Sequence, residues 1–327
     1  MKAKLLTSLV IPVRDESATI QGLVKSINSQ SYQPAEVIFV DGGSVDDTVE
    51  QLRRMGESDG RIRIIEAGEA TPGRGRNLGI AAARNEWIAL TDAGITLEPT
   101  WLERLVEVLD RDPRAMVVYG NYEPFAETFF ERCSALAYPA PKTAREGELM
   151  RGPFIASSLI HRKVWEAAGG FPDLRAAEDL IFMNRVAEAG FKTGWAPDAT
   201  VWWQLRPDLS GVFRKFALYS THNVRAGMQR YWHYGVARQY LIGLLFVALA
   251  VIYNWWWMSI PVLGYAARVA KSIWIRRERR GLLWVINPAQ FAVVAAILLT
   301  IDAATFAGWR RAIRERGGRR TGQNGSG

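Results

Sequence analysis

Three carboxylate positions have the setting that chemistry needs. In residues 86–97, EWIALTDAGITL, an apolar run (Trp87, Ile88, Ala89, Leu90) leads to Asp92, and small residues Ala93 and Gly94 follow. A carboxylate at a strand end, next to residues with almost no side chain, leaves room for a ligand or a metal ion. Ligands of open α/β sheets gather at that end of the strands. Asp41 ends a second apolar run, EVIFV, and is followed by Gly42, Gly43 and Ser44. Glu178 and Asp179 open an amphipathic segment with Leu180, Phe182, Met183 and Val186.

Each position suits a particular task. Asp41 can accept a hydrogen bond from the N3–H of uracil or from a ribose hydroxyl, and the glycines after it let a backbone approach a ligand closely. Asp92 can give one carboxylate to Mg2+ or Mn2+, ions that take one or two carboxylates together with substrate phosphates. Asp179, assisted by Glu178, can act as a general base, although adjacent acids at a helix start also suit the helix dipole. The segment Gly73-Arg74-Gly75-Arg76-Asn77-Leu78-Gly79 reads as a helix start. Its free N–H groups and Arg76 favour a diphosphate. The spacing is GxGxxxG, and the turn after the first strand, Pro12-Val13-Arg14-Asp15-Glu16, has no glycine. A dinucleotide fingerprint is therefore absent. Together the groups suggest a nucleotide-sugar site.

The elements that must position these groups follow from periodicity. Residues 5–11, 36–41, 62–66, 86–91 and 115–120 read as strands. Residues 17–30, 46–55, 74–84 and 99–110 read as helices, the first with Ile20, Leu23, Val24 and Ile27 on one face. Ser44 and Asp47 resemble a capping box opening the second helix. Strands alternating with helices imply an α/β fold with a mostly parallel sheet flanked by helices. Further on, 157–161 reads as a strand, 178–189 as a helix ended by Gly190, and 195–203 as strand or loop. Residues 208–222 form an amphipathic helix suited either to a membrane interface or to packing on the domain.

The charge is unevenly spread. The 327-residue chain has a net charge of +8, yet residues 1–236 carry 28 basic and 30 acidic groups. Residues 237–327 carry 13 basic and 3 acidic groups, a net of +10. The same third holds the longest apolar runs. Residues 240–257 are uncharged and end in a Trp cluster, as a membrane span does. Residues 258–275, interrupted by Pro261, Arg268 and Lys271, read as a poorer span or an interfacial helix, and 282–309 as another span. The basic clusters at 276–280 and 310–311 do not fix the number of crossings. This pattern implies membrane lipids as partners and argues against nucleic acid, since the basic residues border apolar segments. The expected organisation is a catalytic domain over 1–236, membrane-associated helices over 237–310 and a basic, disordered tail over 311–327. Cys133 is the only cysteine, and His161, His222 and His233 are scattered, so no zinc spacing exists. The first residues lack a signal-peptide pattern, so the catalytic domain is expected in the cytoplasm, at the inner (plasma) membrane.

Five segments in order resemble the family-2 glycosyltransferases with a GT-A fold, over about residues 8–203. SLVIPVRDESATI looks like that family's opening strand, and VIFVDGGSVDDT is similar to its VDDGSxDxT motif. GRGRNLGIAAA resembles the ARNxG segment, LTDAGITLEPTWLE occupies the DxD segment, and AEDLIFMNRVAEAGF resembles the ED-containing acceptor segment. The resemblance implies that Asp41 and Gly43 bind the nucleotide, with Pro12 and Glu16 shaping the pocket. Arg76 would contact base or diphosphate, Asp92 the metal or ribose. Asp179 would be the base, assisted by Glu178. It further implies a UDP-sugar or GDP-sugar donor, Mg2+ or Mn2+ on the leaving diphosphate, an inverting single displacement, and a lipid-linked or cell-surface glycan acceptor. The chain departs from the pattern at Gly42, at Gly94 (the second acid of DxD) and at Ile181. No QxxRW motif occurs, and Arg214-Lys215-Phe216 is the nearest basic-aromatic patch, which favours single transfer over polymerisation. The competing reading is a catalytically degenerate GT-A domain acting as a nucleotide-binding membrane scaffold.

Overall fold

The computed structural model describes residues 5–145, 147–278, 280–285 and 287–323. The chain forms two compact units. One is Met1–Phe125 with Lys142–Gln204, the other Ala126–Pro141 with Leu205–Gly327. Residues 126–141 and 205–236 thus pack with the C-terminal helices.

The first unit holds the strands β1 (Thr7–Val13), β2 (Glu36–Asp41), β3 (Ile62–Glu66), β4 (Trp87–Leu90), β5 (Ile95–Leu97), β6 (Val117–Phe125), β7 (Thr143–Arg145), β8 (Glu148–Met150), β9 (Ser158–His161) and β10 (Thr193–Gln204). Its helices are α1 (Ile20–Asn28), α2 (Thr48–Ser58), α3 (Pro72–Ala82), α4 (Trp101–Arg111), α6 (Arg162–Ala167) and α7 (Glu178–Glu188). Eight strands make one sheet in the order β3-β2-β1-β4-β9-β6-β10-β5, and β7 pairs with β8 apart from it.

The first half of the sheet is parallel, as the alternation of strands and helices requires. Its strands are nearly continuous apolar runs because both faces are covered, and β2 is buried along its whole length. Helix α3 starts at Pro72, whose missing N–H costs nothing there, and the Thr71 side chain accepts from Arg74 N. It lies directly on β1 and β2: a Cβ on Gly79 would stand 2.3 Å from Val10 Cγ1. Val10, Ile38, Val40, Ile88, Leu90, Phe171 and Phe182 share one core.

Beyond β4 the sheet is mixed, yet six of its eight strands run in one direction, in keeping with the mostly parallel expectation. Strand β9 runs antiparallel to both β4 and β6, β10 is parallel to β6, and β5 is antiparallel to β10. All four residues of β9 are buried, and such a run has the same pattern in either direction. The expected capping box at Ser44 and Asp47 is also absent. Helix α2 begins at Thr48, Asp47 makes no side-chain cap, and the Ser44 hydroxyl instead donates to Asp41 Oδ1 at 2.6 Å.

The second unit consists of α5 (Phe129–Ala137), α8 (Leu209–Arg225), α9 (His233–Ile252), α10 (Ser259–Arg276), α11 (Leu282–Val285) and α12 (Pro288–Gln323). Thr128 and Glu131 form a capping box on α5, and Asp208 caps α8 through Gly211 N. One face of α8 meets α12, where Ser220 Oγ donates to Thr305 O at 2.7 Å and Thr221 Oγ1 to Gly308 O at 3.2 Å. Cys133, Leu136, Val212, Val269, Ile273 and Ile297 belong to the core of this unit. Two stretches, His233–Ile252 and Pro288–Glu315, are long and apolar enough to cross a membrane. The segment α10 does not meet that standard. Helix α12 continues to Gln323 through part of the expected disordered tail, with an Arg311–Glu315 pair one turn apart, while 324–327 lie outside the described residues.

Candidate active site

The C-terminal ends of the parallel strands converge on Arg76. It sits on the second turn of α3, buried at 3% exposure. Its Nη2 donates to Asp92 Oδ1 at 2.5 Å and its Nη1 to Glu178 Oε1 at 2.7 Å. The Phe171 ring lies 5.4 Å below the guanidinium carbon and stacks on Phe182. Arg76, Asp92 and Glu178, far apart in sequence, are thereby one cluster.

Burial opposes the charge of Arg76, yet Asp92 and Glu178 outweigh it and hold its pKa above the ordinary value. The Glu178 pKa is also raised, which for an acid favours the neutral form. Burial raises its pKa, Arg76 opposes that, and the neighbouring Asp179 charge adds to it. Asp92 differs from both in being open, with a side chain 38% exposed. Asp179 is partly exposed, and its Oδ1 accepts from Leu180 N at 2.7 Å. The residue before this pair, Ala177, has φ of 72°, a left-handed conformation that costs an alanine energy. Nothing in the sequence signals that strained turn into α7.

The other predicted residues form the adjoining wall. Pro12 pairs with Val40 in the sheet and packs under α3, where a Cβ on Gly75 would come within 3.2 Å of its ring. Asp41 is buried, and its carboxylate is committed to its own turn: Gly43 N and Ser44 N donate to it, as does the Ser44 hydroxyl. Gly43 has φ of 82°, which lets that turn close. Glu16 follows β1, accepts the Thr19 hydroxyl at 2.5 Å on Oε2, and donates its N–H to Thr48 Oγ1.

Sequence reasoning missed the braces. Asn77 accepts from Phe171 N and Trp165 Nε1 and donates to Phe171 O, which ties the 165–171 turn to α3. Thr71 donates to Asp173 Oδ1 at 2.6 Å. Asp46 accepts from Thr48 and Ser17, and these bonds hold its pKa down at about 2, so the turn stays anionic. The position of Asn77 directly after Arg76 was the available signal for the first of these.

Residues 8–164 match the family model for Glycosyl transferase family 2. Glycosyltransferase GlyG of Streptococcus pneumoniae is 30% identical over 125 residues, 38% of this chain and 41% of GlyG. The chain thus spans less than half the length of that relative. Succinoglycan biosynthesis protein ExoA of Rhizobium meliloti is 25% identical over 314 residues, 89% of this chain and 90% of ExoA. Among solved structures, mannosyltransferase PcManGT from Pyrobaculum calidifontis, determined with GDP-Man and Mn2+, has the same fold. Its TM-score is 0.55 at 18% identity, covering 93% of this chain and 88% of that one. Over residues 8–164 the chain matches the family-2 glycosyltransferase domain, and its fold is GT-A-like.

Proposed function

We propose that the protein transfers one sugar, with inversion, from a UDP-sugar or GDP-sugar to a membrane-associated acceptor, either lipid-linked or a cell-envelope glycan. The observation that carries the reading is Arg76 joining open Asp92 to Glu178, with Asp179 beside it, at the strand ends where ligands bind. Asp179 takes the proton of an acceptor hydroxyl as that oxygen bonds to the anomeric carbon. The bond from that carbon to the diphosphate breaks, and the nucleotide diphosphate leaves. Glu178 orients Arg76, whose cation fixes Asp92. Asp41 organises the turn Gly42–Asp46 along the nucleotide, and Pro12 and Glu16 border it.

The residues fit a divalent ion. The Asp92 side chain is 38% exposed, nearby Gly94 has no side chain to cover it, and Mg2+ or Mn2+ needs few protein ligands when phosphates supply the rest. Asp92 would hold it, and when bound the ion would supply charge neutralisation to the diphosphate. The likeness to PcManGT, with its GDP-Man and Mn2+, supports this choice. The two long apolar helices and the relationship to ExoA support a location at the inner face of the plasma membrane, with the catalytic domain cytoplasmic.

The test is thermal unfolding of the purified protein with UDP or GDP, with and without Mn2+. A ligand of the folded state raises Tm. Metal-dependent stabilisation by one nucleotide, with transfer from its sugar, supports the proposal. No stabilisation by either, in folded protein, favours the degenerate scaffold to which the missing acid at Gly94 points.

A further inference from the structure

We propose that Glu16 supplies the second carboxylate of the divalent-cation site, in the place left by Gly94. The inference rests on the reading of Asp92 as a metal ligand and adds a partner to it. A Cβ built on Gly94 would stand 3.4 Å from Glu16 Oε2 and 3.7 Å from Oε1. The carboxylate of Glu16 thus occupies the volume that an acidic side chain at 94 would enter. The acid is present, but it comes from the turn after β1 instead of from the loop after β4. Its position is held from both ends, by the Thr19 hydroxyl on Oε2 and by Thr48 Oγ1 on the Glu16 N–H.

Two further observations point to a missing cation. Arg76 is shared between the carboxylates of Asp92 and Glu178, with Asp179 beside them, so the acids around it outnumber its one positive charge. The network that holds Asp92 is also short of partners. Glu178 Oε2, on a side chain 7% exposed, has no hydrogen-bond partner among the described residues. A divalent ion between Asp92 and Glu16, with phosphate oxygens and water completing its shell, balances that charge in the manner of Mg2+ and Mn2+ sites. Gly94 has φ of +74°, a conformation that Asp tolerates better than most residues, so the carboxylate can be moved back experimentally.

The experiment measures Mn2+ affinity by electron paramagnetic resonance on the full chain, with saturating UDP and with saturating GDP in parallel. The variants are Glu16→Gln, Asp92→Asn, and Glu16→Gln combined with Gly94→Asp. Glu16→Gln is expected to weaken Mn2+ by at least about tenfold, no less than the loss of a group that merely supports a ligand, and Gly94→Asp to restore most of it. Because Glu16→Gln could lose the fold of its turn, Glu16→Cys is measured beside it. A thiolate ligand shifts preference from Mn2+ towards Cd2+, and buried Cys133 offers no competing thiol. Unchanged Mn2+ affinity in Glu16→Gln with weakened affinity in Asp92→Asn overturns the proposal and leaves Asp92 standing. Unchanged affinity in both overturns the reading of Asp92 as well. Loss of metal-free nucleotide binding with unaltered Mn2+ affinity assigns Glu16 to the base pocket instead.

Discussion

Arg76 Nη1 lies 2.7 Å from Glu178 Oε1 and joins the second turn of α3 to the first residue of α7 across 102 positions of sequence. Both side chains are more than nine-tenths buried. A buried pair of this kind gains little over an apolar pair, but breaking it strands a charge. Arg76→Ala is therefore expected to destabilise the protein by about 3–5 kcal/mol. Arg76→Lys, which keeps the charge but loses the fork that reaches Asp92 and Glu178 together, is expected to fall between. Urea unfolding of the three proteins tests this, and an Arg76→Ala midpoint equal to the wild type would remove Arg76 from any organising role.

Asp179 has the partly exposed carboxylate that a general base requires, whereas Glu178 is spent on Arg76. Asp179→Asn is expected to lower the rate of sugar transfer about 10²- to 10⁴-fold while leaving nucleotide affinity within a factor of two or so of wild type, since no bond to the nucleotide wall is lost. Glu178→Gln is expected to act on Tm before it acts on rate. Full transfer activity in Asp179→Asn at saturating donor would exclude that residue as the base.

The parallel half of the sheet was legible because buried strands, amphipathic helices and their caps are written locally. The apolar run EVIFV and the helix face of Ile20, Leu23, Val24 and Ile27 each specify their element without help. Strand β9 was legible as a strand but not in direction, because SLIH is apolar whichever way it runs. Ser44 looked like a helix cap because its spacing to Asp47 was right. Its hydroxyl is drawn instead to the strand-end carboxylate of Asp41, a competition that spacing does not reveal. Asp92, Glu178 and Arg76 each stood out in the sequence. Their convergence did not, since it depends on how α3 lies over β1. The proximity of Glu16 to Gly94 is of the same kind, a contact between two turns.

Glu36 gives the acid limb of stability. Burial pushes its pKa up, but hydrogen bonds from Arg84 N, Ser8 Oγ and Arg63 outweigh that and leave it below the ordinary value of 4.5. A carboxylate with a depressed folded pKa stabilises the native state above the unfolded value, and that contribution is lost as pH falls through the folded value. Wild-type stability is therefore expected to decline below about pH 4.5, and Glu36→Gln to show a smaller decline from a lower starting Tm. Parallel curves for the two proteins between pH 6 and pH 3 would show that Glu36 does not set this limb.

The two long apolar helices contain two acids, Glu315 at the end of the second and Asp302 near its middle, and Asp302 is 1% exposed. Both its oxygens are taken by Arg268, at 2.5 and 2.8 Å, and Tyr240 donates to it at 3.0 Å. The bond set ties α9, α10 and α12 together, and ionisable groups in such helices persist only when paired. Asp302→Ala leaves the Arg268 cation without its partner, so it is expected to lower Tm in detergent more than the double change Arg268→Met with Asp302→Leu, which removes both charges and keeps the volume. The same comparison reads on membrane insertion. Wild type and double variant are both expected to stay in the membrane fraction through an alkaline carbonate wash, if the apolar faces of α9 and α12 and not the ion pair hold the chain there. Release of the wild type by that wash would remove the membrane-spanning reading of both helices, and equal Tm for the single and double variants would show that Arg268 finds another partner when Asp302 is gone.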